Sequence, residues 1–251
     1  MIASKSEIAA GKDREPSVTR PAIIFIAGFG DNASMFDGLL HTHLAERYRL
    51  LPINLPGFGA PTLRSQTTLE ALAKFVADKA EEAGAKIIVA HSVASIIASL
   101  AAQRSGCPLT TIISLEGNIT AEDAYFSGTA ADFDGPEEFR AAFLERLDQM
   151  AKNAPVIDRY RQSVSQADQL ALWQLGTDAR RFSSRHVPGE VLKSSGNVVY
   201  LYNPENCPET TIQWLEHNPL ERIVLANATH WKSVDQPEQL ADKISEALHR
   251  V

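Results

Sequence analysis

Cysteine is scarce: Cys107 and Cys207 are the only two in 251 residues, and neither forms a Cys-x-x-Cys pair or neighbours a histidine cluster at metal-ligand spacing. That argues against a disulfide framework and a zinc site, and leaves both thiols as idle side chains. Long basic runs are missing too, and the net charge is -7. Nucleic acid is therefore not an expected partner, because nothing offers its phosphates an electrostatic footprint. No stretch approaches the roughly 18 uncharged apolar residues of a membrane helix, so no membrane association is expected. Met1 to Arg20 carries Lys5, Lys12, Arg14 and Arg20 but lacks the apolar core of a secretory signal. It reads as a flexible leader over 1–20, and the cytoplasm is the expected compartment. Gly28-Phe29-Gly30 lacks the later glycine and the acidic partner of a dinucleotide fingerprint, and no phosphate loop or metal cluster is visible. No cofactor and no metal are expected. His41 and His43, two apart on a probable helix, point in different directions and read as surface residues.

What the chain has is apolar content, 44% of residues, enough for a sizeable core. Short apolar runs alternate with helix-like patterns, the signature of a mostly parallel open sheet flanked by helices. The spacing predicts strands at Ala22 to Ala27, Leu50 to Asn54, Lys86 to Ala90, Thr111 to Leu115, Asn197 to Tyr202 and Arg222 to Ala226. Helices are expected at Met35 to Glu46, Leu69 to Ala83, Val93 to Gln103, Thr210 to His217 and Pro237 to Leu248. One gap, about Asn118 to Ser195, is too long for a simple connection and should carry structure of its own. Phe139, Phe143, Leu144 and Leu147 recur at helix spacing after Asp134-Gly135-Pro136, and a second pattern follows Pro155 with Leu170, Trp173 and Leu175 as apolar anchors. The division expected is a core of 21–117 and 196–251 with a helical cap, 118–195, inserted after the strand ending near Leu115.

Open parallel sheets bind ligands beyond the carboxyl ends of their strands. The residues following four of the strands are Ala27 to Asn32, Ser92, Glu116-Gly117-Asn118 and Ala228 to Trp231. Ala90-His91-Ser92-Val93-Ala94, at the end of an apolar run and the start of a helical one, has the shape of a nucleophile elbow, with alanine at both positions where glycine is usual. Small neighbours are needed there because the serine takes a strained backbone conformation.

With these residues in hand, the chain resembles the α/β-hydrolase superfamily from Pro21 to Val251. Ile23 to Gly30 is similar to the oxyanion-loop strand, Asn54-Leu55-Pro56-Gly57-Phe58-Gly59 to the Asp-x-Pro-Gly-x-Gly turn, and His230 to Glu238 to the histidine loop and the helix after it. The resemblance implies Ser92 as nucleophile and His230 as its base. It leaves two candidates for the triad acid: Glu205 after the penultimate strand, or Glu116 at the end of the strand before. Glu116 is favoured, because a carboxylate that follows an apolar strand is costly to bury without a partner, whereas Glu205 lies in a polar turn. The backbone N–H groups of Phe29 and Val93 are the implied oxyanion donors. Ala27-Gly28 stands where His-Gly is commoner, which removes a usual brace of that loop.

A serine rather than an aspartate nucleophile excludes the alkyl-enzyme route of dehalogenases and epoxide hydrolases. The expected activity is hydrolysis of an ester, thioester or lactone of a small to medium, mainly apolar substrate through an acyl-enzyme. A carbon-carbon bond hydrolase of diketones with the same triad, or a ligand-binding member without catalysis, stays open. Phe29 and Trp231, beside catalytic positions, and the cap aromatics Phe126 and Trp173 are the candidate substrate contacts. Tyr125, Phe133 and Phe182 are further aromatics of the expected cap. Oligomeric state is not legible.

Overall fold

The computed structural model describes residues 20–152 and 154–251, so Met1 to Thr19 of the expected leader lie outside the described residues. Among the described residues, six parallel strands form the sheet: β1 Ala22–Ile26, β2 Arg49–Ile53, β3 Ile87–His91, β4 Thr111–Leu115, β5 Asn197–Tyr202 and β6 Glu221–Val224. Their order is β2-β1-β3-β4-β5-β6. Each of the six strands read from the sequence is present, with ends shifted by up to two residues. The central runs are apolar and buried: every residue of β1 and β4 is inaccessible or nearly so, as strands covered on both faces require, whereas the edge strands β2 and β6 are largely half-buried or exposed.

The strand order reverses at β1, so the connections from β1 to β2 and from β2 to β3 run in opposite directions along the sheet. Right-handed crossovers then put their helices on opposite faces and open a crevice between the carboxyl ends of β1 and β3. On one face lie helices α1 Leu69–Ala83 and α2 Ala94–Ala102, packed on each other. Helix α1 buries Leu69, Leu72, Ala73, Val76, Ala77 and Ala80 at helical spacing; the Thr68 side chain caps its start and left-handed Gly84 its end.

The single helix expected over Met35 to Glu46 is instead a 3-10 helix, Ala33–His41, followed by a helical turn, Leu44–Arg47. Thr42 causes the break: its N–H and its hydroxyl both donate to the Leu39 carbonyl and close the first segment. The Cα of Gly38 packs tightly against Pro237, the first residue of the last helix.

Between β4 and β5 the chain forms 3-10 segments at Ala121–Ala124 and Ser127–Asp132, then α3 Pro136–Ala151, α4 Pro155–Gln166, α5 Gln169–Ser183 and α6 Pro188–Lys193. Proline opens α3, α4 and α6, where its missing N–H costs nothing. Helix α3 buries Phe139, Phe143 and Leu147, as its spacing predicts, while Leu144 is half-buried. Leu170 departs from expectation: it is 47% exposed, because Asp168 caps α5 and the buried stripe falls on Ala171, Leu172 and Leu175. The last helices are α7 Glu209–His217 and α8 Pro237–Leu248. No helix among the described residues is long and apolar enough to cross a membrane.

Candidate active site

Ser92 follows the last residue of β3 with φ 55, the left-handed region that a side chain adopts only under constraint. The constraint is local. Its N–H donates to the Leu115 carbonyl at 3.0 Å, and Ala94 starts α2 two residues later. Ala90 and Ala94 are fully buried, and a Cβ on Gly28 would stand 2.9 Å from that of Ser92, so the elbow leaves room for glycine alone across from it. Glu116, just past β4, is the second strained residue, with φ 45 and its N–H bound to the Leu201 carbonyl at 2.8 Å. Strain of this kind costs about 1–3 kcal/mol per residue and persists only where the surroundings over-determine it.

The Glu116 carboxylate is 3% exposed and lies 2.7 Å from His230 Nδ1. Its Oε1 accepts from the Asn203 N–H at 3.1 Å, and Asn206 Nδ2 donates to both oxygens at 2.9 and 3.2 Å. The two asparagines also donate to the Ala228 carbonyl, at 2.9 and 3.1 Å, and so tie the histidine loop to the acid. With Glu116 accepting from Nδ1, the imidazole keeps Nε2 as a free acceptor. Glu205 sits exposed in its polar turn with no contact to His230 among the described residues.

Ser92, His230, Phe29, Phe126 and Trp231 line one narrow cavity, together with Gly28, Asp31, His91, Asp123, Tyr125, Ser127 and Tyr160. Ser92 Oγ makes no hydrogen bond among the described residues. The Phe29 and Val93 N–H groups donate to no protein acceptor among the described residues. Trp173 is not among the lining residues: its indole N–H donates to the Phe133 carbonyl at 3.1 Å. Phe133 and Phe182 are likewise absent from the wall, whereas Tyr125 is part of it.

Five wall residues were not singled out from the sequence: Asp31, His91, Asp123, Ser127 and Tyr160. Asp31 is buried against Arg159 of α4, 2.6 Å from Nη1, and burial raises its carboxyl despite the guanidinium. Asp123 accepts from the Ile119 and Thr120 N–H groups and the Thr211 hydroxyl, and burial raises it too. His91 Nε2 lies 2.9 Å from the His230 carbonyl, so that nitrogen carries the proton and Nδ1 is left without a partner. Burial, with neighbouring His230 adding to it, holds His91 well below the ordinary histidine range and therefore neutral. Adjacency to Ser92 was the available signal for His91; nothing in the spacing marked Tyr160, which falls on the ordinary apolar stripe of α4 with Ile157 and Val164. Among the described residues no group of three or more His, Cys, Asp or Glu side chains is arranged to hold a metal ion.

This arrangement of a strained serine, a histidine loop and a buried acid at the edge of a parallel sheet agrees with the family comparison: residues 23–243 match the model of the alpha/beta hydrolase family. The chain is an alpha/beta hydrolase. A search of curated proteins finds no match. Among solved structures, this hydrolase is similar to a thermophilic esterase from Thermogutta terrifontis, with TM-score 0.71, 20% identity, and coverage of 92% of this chain and 90% of the other. It is similar to a putative aryl esterase from Burkholderia cenocepacia, with TM-score 0.67, 19% identity and 92% of each chain covered. The enol-lactonase from Burkholderia xenovorans LB400 aligns with TM-score 0.68 at 15% identity over 94% of each chain. At such identities the likeness is one of fold.

Proposed function

We propose that this alpha/beta hydrolase cleaves an ester, thioester or lactone of a small to medium, mainly apolar substrate through an acyl-enzyme on Ser92. The observation that carries the reading is the 2.7 Å contact between His230 Nδ1 and buried Glu116, with Ser92 on the wall of the same cavity. A serine hydroxyl attacks a carbonyl at neutral pH only if a base takes its proton, and His230 Nε2 is the free acceptor for it. Glu116 fixes the imidazole tautomer and stabilises the imidazolium. The oxygen that becomes negative on attack is held by the N–H groups of Phe29 and Val93, the latter at the start of α2 where backbone donors point outward. His230 returns the proton to the leaving oxygen or sulfur. Water, deprotonated by the same nitrogen, then attacks the acyl carbon and frees Ser92.

The helices between β4 and β5 act as a cap, since Tyr125, Phe126 and Tyr160 from that segment roof the cavity. The cavity is narrow, and Phe29, Phe126 and Trp231 supply apolar wall. Both favour a short acyl group. The test is turnover of p-nitrophenyl esters from acetate to decanoate by the wild type and Ser92→Ala. The expected result is a fall in kcat/KM along the series and no turnover by Ser92→Ala at an unchanged melting temperature. Turnover retained by Ser92→Ala overturns the reading.

A further inference from the structure

We infer that Tyr160 is a positioning residue for the oxyanion loop, and that this loop is held by the cap helices as firmly as by the sheet. The inference rests on the proposed acyl transfer at Ser92. The Tyr160 hydroxyl, buried on α4, donates to the Phe29 carbonyl at 2.7 Å, so it fixes the peptide immediately after the residue whose N–H is the proposed oxyanion donor. The Phe29 ring does not stand free in the cavity; it packs against Phe139 and Phe143 of α3, with ring centres 6.1 and 5.7 Å away. The next residues repeat the pattern. Gly30 takes φ +70, where its Cα faces Val164 and Leu172 so closely that a Cβ would stand 2.9 and 3.1 Å from them. Asp31 is bound by Arg159, and Asn32 Nδ2 donates to Ser163 Oγ at 3.3 Å.

From the core side the loop has less to hold it. The Asp31 N–H closes a turn onto the Gly28 carbonyl at 3.2 Å, and Asn54 Oδ1 accepts from the Ala33 N–H at 2.8 Å. A turn with glycine in the left-handed position has a near neighbour in energy in which the peptide between its two central residues, Phe29 and Gly30, is flipped. The Tyr160 hydroxyl bonds the carbonyl of that peptide and so selects one of the two. Such a flip turns ψ of Phe29 and φ of Gly30 and leaves the Phe29 N–H in the preceding peptide, so what the anchor from α4 sets is the position of the Phe29 Cα, and through it where that N–H stands. A donor counts in catalysis only if it is aimed at the developing charge beforehand, so losing this anchor acts on the transition state more than on the bound substrate. Displacing α3 and α4 would also draw the loop with them, so substrate entry that leaves the hole intact must pass between cap and histidine loop, where Tyr125, Phe126, His230 and Trp231 border both the cavity and an open groove.

Tyr160→Phe keeps the ring, and its packing 4.9 Å from Trp231, but lacks the hydroxyl. Its steady-state kinetics on p-nitrophenyl acetate, with thermal melting as the control for folding, test the inference. Deleting one oxyanion donor outright lowers kcat by about 100- to 1,000-fold in other serine hydrolases, so misaiming one is expected to lower it by about tenfold. KM should stay within about twofold, and a boronic acid that forms a tetrahedral adduct on Ser92 should bind weaker by the same factor as kcat falls. The pH profile should keep its shape, since Tyr160 exchanges no proton in the reaction. Unchanged kcat and boronate affinity, or a change confined to KM, overturns the assignment. Absence of turnover in the wild type would instead overturn the acyl-transfer reading on which it rests.

Discussion

Replacing Glu116 by glutamine leaves the size of the side chain unchanged and removes its charge, and the surrounding hydrogen bonds determine how much activity is lost. The carboxylate accepts on both oxygens: Oε1 from the Asn203 N–H and Oε2 from His230, with Asn206 shared between them. Glutamine has one acceptor oxygen. If that oxygen stays with the buried Asn203 N–H, the amide group faces His230 Nδ1 and forces the proton onto Nε2, the nitrogen needed to accept from Ser92. If the amide is turned over, its N–H₂ meets the Asn203 N–H, and a buried donor is left unpaired at a cost of about 1–3 kcal/mol. In the proposed mechanism, both arrangements lose the charge that stabilises the imidazolium. The analogous acid-to-amide change in a serine protease triad lowers kcat about 10⁴-fold, so Glu116→Gln is expected to lower kcat/KM by about 10³- to 10⁴-fold, or about 4–5.5 kcal/mol of transition-state stabilisation. The assay is p-nitrophenyl acetate turnover beside a melting curve, with Glu205→Gln as the comparison, since Glu205 is exposed and makes no contact with the base. More than a tenth of wild-type activity in Glu116→Gln refutes the reasoning; a large loss in Glu205→Gln alone would move the acid there.

Because His91 is held neutral by burial in the fold but titrates near 6.5 when unfolded, the unfolded chain binds one more proton below that pH. Stability should therefore fall by about 1.4 kcal/mol per pH unit on acidification below about 6.5, down to the depressed value in the fold, from this residue alone. His91→Gln, which keeps an N–H donor for the His230 carbonyl, should lose one proton's share of that slope in urea unfolding at pH 5 to 7; an unchanged slope contradicts it. Phe126→Ala should enlarge the cavity and raise kcat/KM for hexanoate relative to acetate, and an unaltered ratio would remove Phe126 from the acyl wall. Burial and the neighbouring Glu116 and Asp123 push the Cys207 thiol up to about 12, so in the native protein it should resist a disulfide exchange reagent at pH 8 and react on unfolding. Rapid modification of native protein at Cys207 would contradict that.

The sheet was legible because its central strands are apolar, largely β-branched runs ended by turn residues, and a strand buried on both faces needs nothing subtler; the edge strands β2 and β6 are more exposed and followed from the alternation with helices. The elbow was legible because backbone geometry restricts which residues can stand beside Ser92, and the histidine loop was read from the resemblance to the superfamily. The choice between Glu116 and Glu205 rested on the cost of burying charge, and the observed hydrogen bonds to Glu116 obey the same principle. What the sequence hid is what only three dimensions decide. Tyr160 and Phe29 are far apart along the chain, and their contact depends on how α4 docks on the loop after β1. Trp173 has the composition of a pocket wall, yet its indole turns toward the carbonyl of Phe133. A spacing argument identifies the buried face of a helix but does not say which neighbour that face meets. The break at Thr42 was missed because a threonine that closes a 3-10 segment through its own hydroxyl looks, in sequence, like any mid-helix threonine.

The most direct test of Ser92 as an activated nucleophile is peptide mapping by mass spectrometry after exposure of the full chain to a fluorophosphonate, with Ser92→Ala treated alongside. The account predicts one phosphonyl adduct, on Ser92, and none in the variant. An unlabelled Ser92 under conditions that label a known esterase, or equal labelling of both proteins, would contradict it.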